Sequence, residues 1–379
     1  MRKDKTPPAD LLPLLMEWRA PRFGKSNPEN LTNDAWVWII QNHVVAYHVD
    51  VALSLLDRRV RKPVWYIQEQ GKTLEPMDWP AWCFDRMINT RTELPDGRTI
   101  SIGGCHEDWY DSDFYIYNDV VVQSPDGTVQ IFGYPEDIFP PTDHHSATLA
   151  DNRIIIIGNG AIGAPEEDLP VYALSLSDFS MEKIVCDGEV PVGLIDQSAC
   201  YDAGAHRVLV EGGEMSHPEW GNTDNIDLWS LDLSSRTWTR ETRRPWSRFV
   251  IFREPWSRNR LSDFYDVLRA QRTGRWSKWD QEKLDRLTDG GCELDEQLFN
   301  ARYTPPIEHT VIESKDGFRA AHRIEIAGTQ VFYRQDDDGV YLTIEGSLGS
   351  DVTQALIDDL LGKLSRLENK PYAYKSIDV

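Results

Sequence analysis

Short strand-like stretches, in which polar and apolar residues alternate or branched apolar residues run together, fill the middle of the chain. Three segments share a polar-alternating strand, a turn, an Ile/Val-rich strand and a glycine pair. They are 91–104, closing on Ile100-Ser101-Ile102-Gly103-Gly104; 145–160, closing on Ile155-Ile156-Ile157-Gly158-Asn159-Gly160; and 197–213, closing on Val208-Leu209-Val210-Glu211-Gly212-Gly213. The leading glycines, Gly103, Gly158 and Gly212, are 55 and then 54 residues apart, the mark of an internal repeat. Each pair is followed by a polar loop and a second couple of strands: 117–122 with 128–132, 171–176 with 181–185, and 226–233 with 236–239. The pattern predicts four short strands per repeat, joined by turns such as Pro125-Asp126-Gly127.

A glycine pair, an aromatic in the next strand and a Trp in the last strand resemble the kelch repeat. The third segment carries all three, as Gly212-Gly213, Trp229 and Trp238; the second has Asn159 between its glycines and no final Trp. The resemblance covers about 160 residues and implies β-propeller blades. Three blades fall short of the four to eight that usually close such a ring. The glycines suit positions where the backbone turns or a neighbouring blade comes close.

The flanks have other periods. Asn33-Asp34 is a helix start ahead of Trp36, Trp38, Ile39 and Ile40, and a second apolar stretch follows at 49–56, so residues 1–60 read as a helical cap. The repeats then occupy 61–245. Residues 246–261 read as a basic connector, and Pro-Trp-Ser-Arg occurs twice around it, at 245–248 and 255–258. From 262 to 379 the pattern is α+β. Leu and charge spacing predicts helix over 262–300. A meander follows over 307–345, with turns at Lys315-Asp316-Gly317 and Asp336-Asp337-Asp338-Gly339. The last element is an amphipathic helix over 350–367 with Val352, Leu356, Leu360, Leu361 and Leu364 on one face. The fold class expected is mainly β.

Composition narrows the partners more than the chemistry. The chain has 379 residues, 40% of them hydrophobic, and 14 Trp, enough apolar surface for two packed bodies. Its 62 acidic against 40 basic residues give a net charge of −22, which disfavours nucleic acid and anionic membranes and favours a basic protein partner or solubility alone. The five cysteines, Cys83, Cys105, Cys186, Cys200 and Cys292, show no metal or redox spacing. No apolar run matches a membrane span or a leader peptide, so a cytoplasmic protein is expected.

The densest polar cluster follows the first glycine pair: His106, Glu107, Asp108, Trp109, Tyr110, Asp111 and Asp113. Glu107 and Asp111 match the first part of a Glu-x-x-x-Asp-x-x-x-His iron pattern of some kelch proteins, but Tyr115 stands where the histidine belongs, so no metal and no cofactor are expected. Aromatics set among carboxylates supply the anchors and the steering that an interface needs. Glu107, Asp108, Trp109, Tyr110, Asp111 and Asp113 are therefore the expected partner-binding residues, with His106 and His144 at a pocket. No phosphate loop, nucleophile elbow or zinc-protease motif occurs, and no catalytic residue is expected. The reading is a non-catalytic protein-binding module of the bacterial immunity type. The alternative is a kelch-type enzyme acting on a carbohydrate or other small polar substrate through His106, Glu107, Asp111 and His144.

Overall fold

The computed structural model describes residues 7–46, 48–49, 67–68, 70–73, 79–107, 111, 113–159, 169–217, 221–317 and 320–377. The chain divides into two compact units, Met1–Thr242 and Arg243–Val379. The fold is mainly β, in several antiparallel sheets with few helices.

Unit 1 begins with α1 (Leu12–Glu17), β1 (Glu29–Asn30) and α2 (Asp34–Gln41). The expected helix start is present: Asn33 is extended and its Oδ1 accepts from Trp36 N at 3.0 Å, satisfying one of the orphan donors of the first turn. Of the second apolar stretch, 49–56, all but Val49 lies outside the described residues.

The repeats follow. The first holds β2 (Thr90–Glu93), β3 (Thr99–Ile102), β4 (Cys105–His106), β5 (Tyr115–Ile116), β6 (Val120–Gln123) and β7 (Val129–Gly133). The second holds β8 (Ser146–Ala150), β9 (Arg153–Ile157), β10 (Val171–Ser175) and β11 (Met181–Lys183). The third holds β12 (Asp187–Gly188), β13 (Leu194–Ile195), β14 (Ser198–Asp202), β15 (Arg207–Glu211), β16 (Glu214–His217), β17 (Gly221–Asp224), β18 (Trp229–Asp232) and β19 (Thr237–Arg240). Each repeat contains a four-stranded antiparallel meander, β2-β3-β6-β7, β8-β9-β10-β11 and β14-β15-β18-β19, to which β1 adds beside β7 and β12 adds in parallel beside β19. Gly103, Gly158 and Gly212 each stand directly after the second strand, all at positive φ, where a side chain would be strained.

Side-chain alternation explains how the three sheets stack. In β9 every residue of Ile154-Ile155-Ile156-Ile157 is buried, as expected of a strand covered on both faces. Ile154 and Ile156 join Ile100, Ile102, Val120 and Val122 of the first sheet in one core. Ile155 and Ile157 join Val208, Val210, Trp229, Leu231 and Trp238 of the third sheet in another. The far face of the first sheet, with Val121 and Ile131, packs under Trp36, Ile39 and Ile40 of α2 and under Trp82. Trp36 and Trp82 stack there at 4.4 Å. The far face of the third sheet is polar: Ser198, Cys200 and Glu211 are exposed, and Ser230 and Arg207 both donate to Glu241 Oε1.

In unit 2, six strands form one antiparallel sheet. They are β20 (Ser247–Arg253), β21 (Thr310–Lys315), β22 (Ala321–Ile326), β23 (Thr329–Gln335), β24 (Val340–Glu345) and β25 (Tyr372–Ile377), in the order β21-β22-β23-β24-β20-β25. Four helices accompany it: α3 (Leu261–Thr273), α4 (Lys278–Asp289), α5 (Glu296–Asn300) and α6 (Ser350–Glu368). Their apolar residues, among them Phe264, Val267, Leu356, Leu360 and Leu364, share a core with Ile324, Val331, Leu342 and Ile344 of the sheet. The 246–261 segment differs from a connector, because its first half forms β20, hydrogen-bonded to β24 on one side and β25 on the other. Its alternation of Phe249 and Ile251 with Val250 and Phe252 makes it a covered central strand, and Arg248 within it is 1% exposed.

Candidate functional site

The glycine pairs lie at one end of the three sheets, which also carries the segments leading into the first strands β8 and β14. β8 lies beside β2, and β14 beside β8, and equivalent residues link them at three levels. In the strands, Thr92 Oγ1 donates to Ala147 O at 3.5 Å and Thr148 Oγ1 to Ala199 O at 3.3 Å. One residue ahead of each strand, His145 Nε2 meets Thr90 Oγ1 at 2.9 Å and Gln197 Nε2 donates to Ser146 Oγ at 3.2 Å. Two residues ahead stand Ile88, His144 and Asp196, all left-handed at φ 55°, 52° and 55°. Asp196 N donates to His144 O at 3.0 Å, and His144 Nδ1 meets Asp196 Oδ1 at 2.9 Å.

The first glycine pair places His106. Gly103 tolerates no Cβ, which would come to 2.3 Å from Thr142 O, and β4 then pairs with β5 through His106↔Tyr115. His106 is 4% exposed, and its Nδ1 meets Tyr117 OH at 3.0 Å. The Arg86 guanidinium lies over the Tyr117 ring at 3.4 Å and forks onto Asp119, which also accepts from Trp82 Nε1 at 2.8 Å. Burial, helped by Arg86, lowers the His106 pKa to about 3, and burial raises the Cys83 thiol beside Tyr117 to about 11. Both side chains are buried, and His106 is packed and hydrogen-bonded in the interior.

Of the expected interface residues, three are described. Glu107 is exposed at φ 59°, and Asp111 and Asp113 are half-buried; Asp108, Trp109 and Tyr110 lie outside the described residues. His144 belongs to a different network from His106. Its ring is partly exposed, and its pKa is raised chiefly by the bond to Asp196, with Asp143 and Glu214 adding to the effect. Asp143 is buried, and burial raises its pKa against the pull of His144 and of a bond to Cys105. The structure thus joins the ends of all three repeats through Cys105, Asp143, His144, Asp196 and Glu214. Sequence reasoning passed over Asp196, Gln197 and Glu214; the signal was the residue pair directly preceding each first strand.

The sequence that joins the second and third strands is acidic in every repeat. The stretches between second and third strands, 103–119, 158–170 and 212–228, contain no Lys or Arg. Their carboxylates are Glu107, Asp108, Asp111, Asp113 and Asp119, then Glu166, Glu167 and Asp168, then Glu214, Glu219, Asp224 and Asp227. Among them, Asp119 pairs with Arg86, and Asp227 with Arg240. Among the described residues no group of His, Cys, Asp and Glu is arranged to hold a metal ion, and no helix is long and apolar enough to cross a membrane.

No family model matches the chain, and no curated protein matches it. Among solved structures, one described as "Structure of YjhT" is similar over 42% of this chain and 52% of that one, at 12% identity and a TM-score of 0.31. The chain spans about half the length of that structure, and at this TM-score the sheet order, not the likeness, describes the fold.

Proposed function

We propose that the three meanders of unit 1 are consecutive kelch-like propeller blades, and that their loop-bearing end binds a basic protein partner. In this reading the chain is a non-catalytic module of the immunity type, working in the cytoplasm. The equivalent places of Gly103, Gly158 and Gly212 and the repeated links between first strands support the blade reading. The observation that carries the binding reading is the charge of the loops: three stretches rich in carboxylates and devoid of Lys and Arg, on a rigid sheet scaffold. Such a surface steers and selects a cationic partner. The enzymatic alternative has less support, since His106, one of the four residues it would use, is buried.

Capture of a basic protein from the source lysate on immobilised chain, with release by high salt, is the test. Replacing Glu107, Asp111 and Asp113 together by their amides is expected to abolish capture, whereas Asp96→Asn with Asp126→Asn, in turns at the other end, leaves it intact. Equal capture by both variants would remove the loops from the interface.

A further inference from the structure

The opposite end of the sheets, where tight turns join the strands, holds a cavity of about 550 Å³ between the second and third repeats. Arg153, which opens β9, and Arg236, in the β18–β19 turn, both line it. Both guanidinium groups reach for a single carboxylate, Glu182, at 3.4 and 3.2 Å. A guanidinium has five N–H donors, so one shared carboxylate leaves most of ten unused. The lining carboxylate, Asp151, already accepts from Tyr201 OH at 3.0 Å and lies 3.5 Å from His206 Nδ1. N–H donors are therefore in surplus here, while the two guanidinium charges are matched by Glu182 and Asp151. The floor is apolar, with Ile155 and Ile184 buried beneath it.

We propose that this cavity binds a small organic anion, its phosphate or carboxylate group held by Arg153 and Arg236 and its carbon body resting on Ile155 and Ile184. Planar guanidinium groups match both head groups with paired hydrogen bonds. Glu182 holds the two arginines in place when the cavity is empty and competes with the ligand for them. The arginine was visible in the repeat: Arg98, Arg153 and Arg207 each stand five residues ahead of a leading glycine, and Arg153 is the one drawn into a cavity.

Calorimetric titration of the full chain with phenyl phosphate, benzoate and phenol tests this. Saturable binding of phenyl phosphate or benzoate, with none of phenol, is expected, and the tighter of the two anions identifies the head group. Arg153→Gln with Arg236→Gln should weaken binding at least tenfold, and Glu182→Gln should tighten it several-fold by releasing both guanidinium groups. Failure of both anions to bind with a Kd below about 1 mM, or unchanged binding in the double variant, overturns the proposal. So does weaker binding in Glu182→Gln.

Discussion

His144 and Asp196 hold each other twice, once through their backbones at 3.0 Å and once through their side chains at 2.9 Å, from two left-handed residues 52 positions apart. This clasp joins the second and third repeats, and its side-chain half depends on the imidazole proton. The folded pKa of His144 is raised above the unfolded value of about 6.5. Its contribution is therefore complete below about pH 6.5 and is lost as pH rises through the folded pKa. With Asp196 half exposed, it is worth less than about 1 kcal/mol. Asp196→Asn should cost stability at about pH 6 and markedly less at about pH 8.5, by urea denaturation; an equal cost at both would sink the idea.

His145 works in the other direction. Burial lowers its pKa to about 4, so its stabilisation is present above the unfolded pKa and is lost as pH falls below about 6.5. At about pH 5 the loss amounts to roughly 2 kcal/mol. Gln197 fills the equivalent place in the next repeat and makes the equivalent bond. His145→Gln should therefore fold, keep the bond to Thr90, and lose about 2 kcal/mol less than the parent between about pH 7 and 5. An unchanged acid sensitivity in thermal melts would count against it.

The three leading glycines should not respond alike to alanine. All have positive φ, which costs about 1–2 kcal/mol for a side chain. A Cβ at Gly103 would come to 2.3 Å from Thr142 O, and at Gly158 to 2.9 Å from Leu194 O, in each case from the backbone leading into the next sheet. At Gly212 nothing described lies within 4 Å. The expected order of destabilisation is Gly103→Ala above about 4 kcal/mol, then Gly158→Ala, then Gly212→Ala at about 1–2 kcal/mol. Denaturant midpoints ranking Gly212→Ala first would refute this account of the stacking.

Arg86 and Asp119 are both buried and bonded to each other. Arg86→Met leaves a buried carboxylate facing Trp82 Nε1 alone and should cost about 3–5 kcal/mol. A loss below about 1 kcal/mol, measured by denaturant unfolding, would mean that water reaches the site.

The repeat was legible because it rests on backbone geometry: glycines with a forced φ and strands of fixed period leave marks at fixed spacing. Asn33, the β23–β24 turn and the apolar face of α6 were legible for the same local reasons. β20 was missed because the arginines and prolines that flank it look like linker; a central strand is made by its neighbours β24 and β25, which lie about 90 and 120 residues further on. His106 looked available because its sequence neighbours are acidic. Its surroundings include Tyr117 and Arg86, neither of which its local pattern reveals. The shared role of Arg153 and Arg236 at Glu182 likewise depends on two repeats meeting.

The α2 tryptophan layer over the first sheet has a consequence for assembly. Like sheets stacked face to face invite a further copy at either end, and head-to-tail addition of that kind runs on into fibres. Here Trp36 and Trp82 fill the face that an incoming third sheet would need. The third sheet turns outward a face of serine, threonine and charge of the kind that ends repeat arrays. Removing the amino-terminal helices would leave the apolar far face of the first sheet, with Val121 and Ile131, open to water and to other apolar surfaces.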